Sequence, residues 1–357
     1  MAETAGRSMT LAEAYRHFGE ADVRGASPLY ERVATAIADS PAALAVVEQA
    51  PPLKRHPTVI LAALHDQVLL GNAPELAAAY RERDLGRVGA VAVDALVALV
   101  AAVIGTAAQR QTQTNETGRC AVLYPAIAEA ARRLDAARIA LIDVGCSAGL
   151  NLNVDRYAIT YEPSGAVIGD GASLVQLRCE ERGATPVPQR AVPPVVARIG
   201  VDLHPIDVEN AADARWLRAC LWPDQPERIE RLNAAIELTR ADPPLLLQGD
   251  ALERLPEALA MVPADAVPIV TTTWALAYFS LEDRLRFLRR LDEAGARRPL
   301  AWVSAEGVGI APAVPTRGDR RLSAHSTLGC AVFDGAHMHV DAIGRCHPHG
   351  RWLEWTG

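Results

Sequence analysis

The 357-residue sequence predicts an α/β protein: a Rossmann-like parallel sheet with an antiparallel C-terminal strand, preceded by an all-helical domain. Two observations support this fold class. From about residue 126, short apolar runs alternate with helical stretches, as expected for parallel strands joined by crossover helices. Before that point apolar residues recur at helical spacing, and no strand pattern interrupts them. We therefore predict a helical domain at residues 1–125 and a sheet domain at residues 126–357.

The sheet domain contains recognisable strand candidates. Five apolar runs are predicted as parallel strands: Arg138–Asp143, Val195–Val201, Pro244–Leu247, Pro268–Thr272 and Leu300–Val303. The segment from His337 to Trp355 is predicted as two strands around Gly344–Gly350, an antiparallel pair at the end of the sheet. Between the first two parallel strands, Tyr157–Pro194 is rich in Pro and Gly. We predict a hairpin insertion above the sheet there, outside the core.

The helical domain begins with clear helix-start signals. Thr10 with Glu13 matches a capping box, and Ser27-Pro28 supplies a capping serine followed by proline in the first turn. The strongest membrane candidate is Val88–Ala108, which contains Asp94 and is dominated by alanine and valine. This composition favours a helix of a globular domain over a membrane span.

Composition and charge restrict the class of protein. Half of the residues are hydrophobic, and the formal charge is −7 with no basic patch, which argues against a nucleic-acid partner. Six cysteines are scattered without paired spacing, and the first residues lack the apolar core of a signal peptide. We expect a cytoplasmic protein with reduced thiols, a small-molecule substrate, no membrane partner and, as an option, a homodimer.

The most informative stretch follows the first parallel strand. The strand ends at Asp143, and Gly145 and Gly149 bracket a tight turn, with Ser147 between them, that opens a helix. Glycines allow close backbone approach to a ligand, and a helix N-terminus offers unpaired N–H donors. The spacing resembles the E/D-x-G-x-G-x-G motif of class I methyltransferases, with Ser147 at the middle glycine. The resemblance implies a methyltransferase-type sheet whose loop holds the methionine part of S-adenosylmethionine.

Acidic residues follow the next two strands. Asp202 stands where methyltransferases place an acid for the ribose hydroxyls, and Asp250 resembles the acid near the adenine amino group. Each could instead cap a helix. Asp202 lies 59 residues after Asp143 (202 − 143), whereas dinucleotide folds expect about 20. The Tyr157–Pro194 insertion would explain the gap; otherwise Glu162 competes for the ribose position.

Other interpretations of these residues stay open. Gly145 to Gly149 also matches G-x-S-x-G, the nucleophile elbow of α/β-hydrolases, with Ser147 as nucleophile. Its partners could be Asp250 or Asp265 with His325 or His339, although no His-Gly oxyanion segment precedes the elbow. A non-catalytic nucleotide-binding module is a further alternative. A dense C-terminal histidine cluster could bind a metal but is more simply the lining of a sheet edge or turn, so no metal is predicted; it comprises His337, His339, His347 and His349.

Nearly the whole chain resembles the bacterial, uncharacterised "domain of unknown function 2332" family. The matching strings include Thr114-Asn-Glu116, Ser147-Ala-Gly-Leu-Asn-Leu152, Ser27-Pro-Leu-Tyr30, Ala62-Ala-Leu-His65, Trp216-Leu217 and Trp222-Pro223. The resemblance implies the two-part architecture and the methyltransferase-like domain but no substrate.

A polar segment, Gln113 to Arg119, lies between two apolar helices. It either caps helix ends or projects into a cleft between the domains, where Asn115 and Glu116 would orient a substrate. In that case Glu116 or His65 is the candidate general base, and Asn115 is a candidate catalytic residue beside it. Gln113 and Arg119 are candidate substrate contacts, and Tyr157 and Trp274 would form a wall against the sulfonium.

Overall fold

The computed structural model describes residues 9–321, 323–335 and 337–357. The chain divides into two compact units. The first unit comprises Met1–Thr114 and Glu209–Glu230, and the second comprises Asn115–Val208 and Arg231–Gly357. Residues 209–230 thus belong to the first unit although they lie, in sequence, between two strands of the second.

The helices of the described residues are α1 (Leu11–His17), α2 (Pro28–Asp39), α3 (Pro41–Val47), α4 (Pro57–Leu69), α5 (Pro74–Glu82), α6 (Val88–Ala98), α7 (Val100–Gln109), α8 (Cys120–Arg133), α9 (Ala211–Ala219), α10 (Pro226–Ala241), α11 (Ala251–Ala260) and α12 (Leu281–Gly295). The predicted helix starts are confirmed. Thr10 and Glu13 form the reciprocal capping box of α1, and the Ser27 side chain accepts from the Tyr30 amide at the start of α2.

The apolar segment Val88–Ala108 forms two helices. Helices α6 and α7 meet at Leu99 with a bend of 83°. Within the part of the chain that the structure describes, no single helix is long and apolar enough to cross a bilayer. The bent pair satisfies that test by length and composition only.

The strands are β1 (Ile139–Val144), β2 (Ala158–Glu162), β3 (Val167–Gly169), β4 (Gln176–Arg182), β5 (Val195–Asp202), β6 (Leu245–Gln248), β7 (Val267–Thr273), β8 (Leu300–Gly307), β9 (Ser326–Asp334), β10 (His337–Cys346) and β11 (Trp352–Trp355). Over the described ranges they form one mostly parallel sheet of eleven strands, in the order β3-β2-β4-β11-β10-β9-β8-β7-β1-β5-β6.

The five predicted parallel strands are confirmed as β1, β5, β6, β7 and β8, and they are neighbours in the sheet. The predicted antiparallel C-terminal pair is confirmed as β10 and β11. Strand β9, which lies antiparallel between β8 and β10, was not predicted from the sequence. The sequence therefore predicted the parallel part of the sheet more completely than its antiparallel continuation.

The predicted hairpin in Tyr157–Pro194 is present as β2 and β3, but its predicted place above the sheet and outside the core was wrong. This segment contains β2, β3 and β4, which extend the same sheet because β4 pairs in parallel with the C-terminal strand β11. Tyr157 and Tyr161 are 0% exposed, so the segment is part of the core. Its pairing partner β11 lies far away in sequence, which is why local pattern could not reveal it.

The segment nevertheless explains the long gap before Asp202. Strand β5 is the direct parallel neighbour of β1, with Val144 paired to Val201, so Asp202 lies at the end of the adjacent strand. The competing acid Glu162 lies on β2, where it pairs with Arg178.

Helices cover both faces of the parallel part of the sheet. Helices α11 and α12 cover one face, where Phe287 and Leu255 join Ile142, Val270 and Trp302 in a buried cluster. Helix α8 packs against β7, β8 and β9. This arrangement leaves the strand ends as the place where polar groups can gather.

If Tyr161 belongs to the core, its removal should be costly. Its ring is buried and its hydroxyl donates to the Ala121 carbonyl at 2.6 Å. We expect Tyr161→Ala to lower the free energy of unfolding by about 3–5 kcal/mol through cavity formation and the lost hydrogen bond. In the same segment, Val167→Ala is the control, because Val167 is 56% exposed and its truncation should cost about 0.5 kcal/mol or less. Equal urea midpoints for the two variants would contradict the structure.

Candidate functional site

The candidate site lies where β5, β1, β7 and β8 end, a region that we call the carboxyl edge. After β1 the chain first forms β2, β3 and β4 at the far end of the sheet. It then adds β5 and β6 on one side of β1, and later β7 and β8 on the other. The order of strands therefore reverses between β1 and β7. In open α/β sheets, ligands bind at the carboxyl ends of strands beside such a reversal.

The loop after β1 adopts the backbone that its glycines suggested. Gly145 (φ 77°), Ser147 (φ 52°) and Gly149 (φ 70°) are all left-handed. A Cβ on Gly145 would lie 2.8 Å from the Ala275 Cβ, so this glycine is required by packing as well as by its backbone angle. The loop does open a helix, but a short 3₁₀ helix, Leu150–Arg156, with a kink at Asn153.

The amide groups of this loop are already hydrogen-bonded. The Gly145 amide donates to the Val201 carbonyl at 2.8 Å, and the Ser147 amide donates to Asp202 Oδ2 at 2.8 Å. The expectation of unpaired donors at this position was therefore wrong for these two groups, because β5 and its terminal acid lie close enough to bind them. The Ser147 hydroxyl, by contrast, is buried and has no hydrogen-bond partner.

Asp143 ends β1 as a buried acid. It is 1% exposed, and Oδ1 accepts from the Thr271 hydroxyl of β7 at 2.7 Å. Burial raises its pKa from 3.8 to about 7, although the Thr271 bond and the Arg119 charge act in the opposite direction. A carboxyl group that titrates near neutral pH is common at functional sites.

The two acids expected to hold the nucleoside have structural partners. Asp202 is half-buried, and its two oxygens accept from the Ser147 and His204 amides. Asp250 is exposed and caps α11 by accepting from the Leu252 amide. The capping role is thus observed for Asp250, while Asp202 fixes the glycine loop to the end of β5.

Glu116 and Asn115 lie at the start of a 3₁₀ turn, Thr117–Arg119. Glu116 is 5% exposed; Oε1 accepts from the Gly118 amide at 3.0 Å and forms an ion pair with Arg231 at 3.2 Å. The Asn115 side-chain nitrogen is buried and has no hydrogen-bond partner. The capping alternative for this segment is therefore realised by Glu116.

Arg119 is buried at the carboxyl edge. Its Nη1 donates to the Thr273 carbonyl at the end of β7 (3.1 Å), and its Nε donates to the Pro348 carbonyl in the turn after β10 (3.0 Å). Burial lowers its pKa, while the neighbouring carboxylates of Glu116, Glu306 and Asp143 oppose that change. Arg119 therefore connects two strand ends and supplies positive charge to three acids.

Glu306, near the end of β8, was missed by the sequence analysis. It is 0% exposed, and Oε1 accepts from the amides of Ala275 and Leu276 at 3.1 and 3.2 Å. Burial raises its pKa from 4.5 to about 7 against these bonds and the Arg119 charge. A sequence signal for Glu306 did exist, because an acid follows an apolar strand there as it does at Asp143. It was not used because the predicted strand ended at Val303, three residues earlier.

Of the remaining candidates, Trp274 lies at the carboxyl edge, directly after β7. Trp274 has a left-handed backbone (φ 56°) after β7 and donates from Nε1 to the Ser326 hydroxyl. The Tyr157 hydroxyl donates to the Leu150 carbonyl, and this fully buried ring has no surface for a ligand. His65 and Gln113 belong to the first unit: His65 Nδ1 contacts the Ala219 and Leu221 carbonyls, and the Gln113 amide donates to Cys220 Sγ.

The C-terminal histidines separate into two places. His347 Nδ1 accepts from the His349 amide in the turn held by Arg119, and His339 forms an ion pair with Asp341 at 2.9 Å. Among residues 9–321, 323–335 and 337–357, no three His, Cys, Asp or Glu side chains are placed to hold one metal ion. The turn at His347 therefore adds backbone and imidazole groups to the carboxyl edge.

The raised pKa values of Asp143 and Glu306 predict a pH-dependent stability. Below about pH 4 both carboxyls are neutral in the folded and in the unfolded protein. Between about pH 4 and 7 the folded protein binds more protons than the unfolded chain, so the contribution of these groups to the free energy of unfolding falls as pH rises. For Asp143→Asn and for Glu306→Gln, the free energy of unfolding minus that of wild type should rise between pH 5 and pH 8 by on the order of 2 kcal/mol. Urea unfolding at both pH values measures this.

Glu180→Gln, at an exposed position on β4, is the control. It should leave the change in the free energy of unfolding between pH 5 and pH 8 as it is in wild type. If neither buried variant changes that difference, the two acids are ordinary carboxylates.

Comparison with known proteins places the chain in a family but not in a functional class. A family model described as "Uncharacterized protein conserved in bacteria (DUF2332)" matches residues 12–355. No curated protein and no solved structure shows a significant match. Because the family model covers nearly the whole chain, including the carboxyl edge, the protein belongs to the DUF2332 family.

Proposed function

We propose that the second unit binds S-adenosylmethionine at the carboxyl edge and transfers its methyl group to a small polar metabolite. The observation that carries this proposal is the position of the left-handed loop Gly145–Gly149. It lies beside the strand-order reversal, between Asp143 of β1 and Asp202 of the neighbouring β5. Glycine loops at this place in an open α/β sheet are typical nucleotide sites.

The residues present fit such a ligand in their chemistry. Ser147 offers a buried hydroxyl that has no partner within the protein. Asp202 uses each oxygen for one backbone amide, and a carboxylate oxygen has a second lone pair that can accept from a ribose hydroxyl. When bound there, S-adenosylmethionine would supply an electrophilic sulfonium methyl group for the acceptor's electron pair, with S-adenosylhomocysteine as the leaving group. The protein's part is to align the acceptor, exclude water and accept its proton.

Calorimetry with S-adenosylmethionine and S-adenosylhomocysteine tests the proposal. We expect binding in the micromolar range and about a tenfold loss in Asp202→Asn, because the amide replaces a charged acceptor by a neutral one. Asp265→Asn is the matched control, since Asp265 lies before β7, at the other end of that strand. Absence of heat and of any thermal shift with both compounds would end the proposal. Binding without turnover across a panel of metabolites would favour a non-catalytic nucleotide-binding module.

A second candidate is an α/β-hydrolase with Ser147 as nucleophile. The observation in its favour is the left-handed backbone of Ser147, at a strand-to-helix turn like that of a nucleophile elbow. A hydrolase also needs a base within hydrogen-bond reach of that hydroxyl, and Ser147 Oγ has no partner of any kind. Methyl transfer therefore accounts for more of the loop's surroundings.

A fluorophosphonate probe separates the two candidates. We expect no labelling of the purified protein, because the Ser147 hydroxyl is buried and has no adjacent base to activate it. The Ser147→Ala variant controls for labelling elsewhere. Stoichiometric labelling that disappears in this variant would replace methyl transfer by acyl hydrolysis.

A further inference from the structure

Three buried oxygen atoms near the carboxyl edge lack hydrogen-bond partners. They are Glu306 Oε2 and Ser304 Oγ on β8 and Thr327 Oγ1 on β9. The three side chains are at most 6% exposed. An unsatisfied buried polar group costs about 1–3 kcal/mol, so each of the three atoms is expected to bind a group from outside the chain, either ordered water or a ligand.

The strand register brings these atoms to one place. Glu306 and Thr327 are direct antiparallel partners, and Ser304, two residues before Glu306, shares its face of the sheet. Cβ atoms of direct partners lie about 4.5–5.5 Å apart and diagonal neighbours about 7–8 Å apart. Ser304 faces Gly329, where a Cβ would lie 2.6 Å from Ser304 Oγ. The missing side chain of Gly329 leaves the space that the Ser304 hydroxyl occupies.

The chemistry of this group favours a ligand that donates hydrogen bonds and carries positive charge. All three atoms can accept hydrogen bonds, although the Ser304 and Thr327 hydroxyls can also donate, and one atom belongs to a carboxyl group. Glu306 shares the positive charge of Arg119 with Glu116 and Asp143. A buried carboxyl group without a cation of its own takes up a proton or binds a cation.

We propose that Glu306, Ser304 and Thr327 bind the ammonium group of a primary amine, and that this amine is the methyl acceptor. The second half of this inference rests on the proposed methyl transfer. An ammonium group has three N–H donors, which match the three unsatisfied oxygens in number, and its charge pairs with the ionised form of Glu306. The site therefore selects an amine over an alcohol or a carboxylate.

The same contacts give Glu306 a catalytic role. An ammonium nitrogen has no free electron pair, so it must lose a proton before it can form a bond to carbon. Glu306 Oε2 accepts that proton, which leaves a neutral amine and a neutral carboxyl group, while Oε1 stays bound to the amides of Ala275 and Leu276. Glu306 thus performs the function that the sequence suggested for Glu116 or His65. Its pKa of about 7 suits a base that works near neutral pH.

Methylammonium binding to the whole protein, without S-adenosylmethionine, tests the amine site. We expect methylammonium chloride to raise the thermal midpoint above that in sodium chloride at equal ionic strength. Glu306→Gln should weaken this binding at least about tenfold, because it removes the charged acceptor yet keeps an oxygen for the Ala275 and Leu276 amides. Thr327→Val is a second variant that removes one acceptor without changing shape. Glu180→Gln on the exposed part of β4 is the control.

Proton release provides a readout that a merely structural role would not affect. Because the ammonium group replaces a proton on Glu306, calorimetry in phosphate and in HEPES at pH 7 should show release of roughly half a proton per amine bound. Glu306→Gln should release none. Equal effects of methylammonium and sodium, or proton release that is unchanged in Glu306→Gln, would overturn the amine site. If the amine binds but S-adenosylmethionine does not, the amine site is supported and the proposed methyl transfer is wrong. If S-adenosylmethionine binds but the amine does not, only the amine site is wrong.

Discussion

The carboxyl edge depends on one buried cation. Arg119 is held by the carbonyl oxygens of Thr273 and Pro348, one at the end of β7 and the other in the turn after β10. An isolated guanidinium group would be expensive to bury, and here the carboxyl groups of Glu116, Asp143 and Glu306 oppose the lowering of its pKa by burial. The cation and the acids therefore require one another, and together they join strands that are distant in sequence.

The balance between burial and charge decides the state of the acids. Arg119 lowers the pKa of both Asp143 and Glu306, and both also accept hydrogen bonds that favour the charged form. Desolvation is nevertheless the largest cause for each, so both pKa values remain near 7. The positive charge of one guanidinium group does not offset the desolvation of two buried carboxyl groups. Both acids are therefore expected to titrate near neutral pH in the folded protein.

The glycines of the loop after β1 are required by the packing of the protein and are also typical of a ligand-binding loop. Gly145 and Gly149 are needed for left-handed turns and for close packing, because a Cβ on Gly149 would lie 2.8 Å from Pro244 Cγ. The same pattern of glycines is expected for a ligand-binding loop. Since the Gly145 and Ser147 amides are bonded within the protein, a ligand here would depend more on the Ser147 hydroxyl and the neighbouring carboxylates than on the backbone.

Local patterns in the sequence determined the features that depend on nearby residues. The apolar runs of β1, β5, β6, β7 and β8 and the caps at Thr10 and Ser27 were predictable, because burial and capping act over a few residues. Asp143 and the glycine loop were found for the same reason. Only the tertiary structure placed β4 beside β11 and gathered Arg119, Asp143 and Glu306 at one edge. The pairing of Glu180 with Trp352 spans 172 positions (352 − 180), and Arg119 and Glu306 are 187 positions apart (306 − 119), so no local periodicity encodes those contacts.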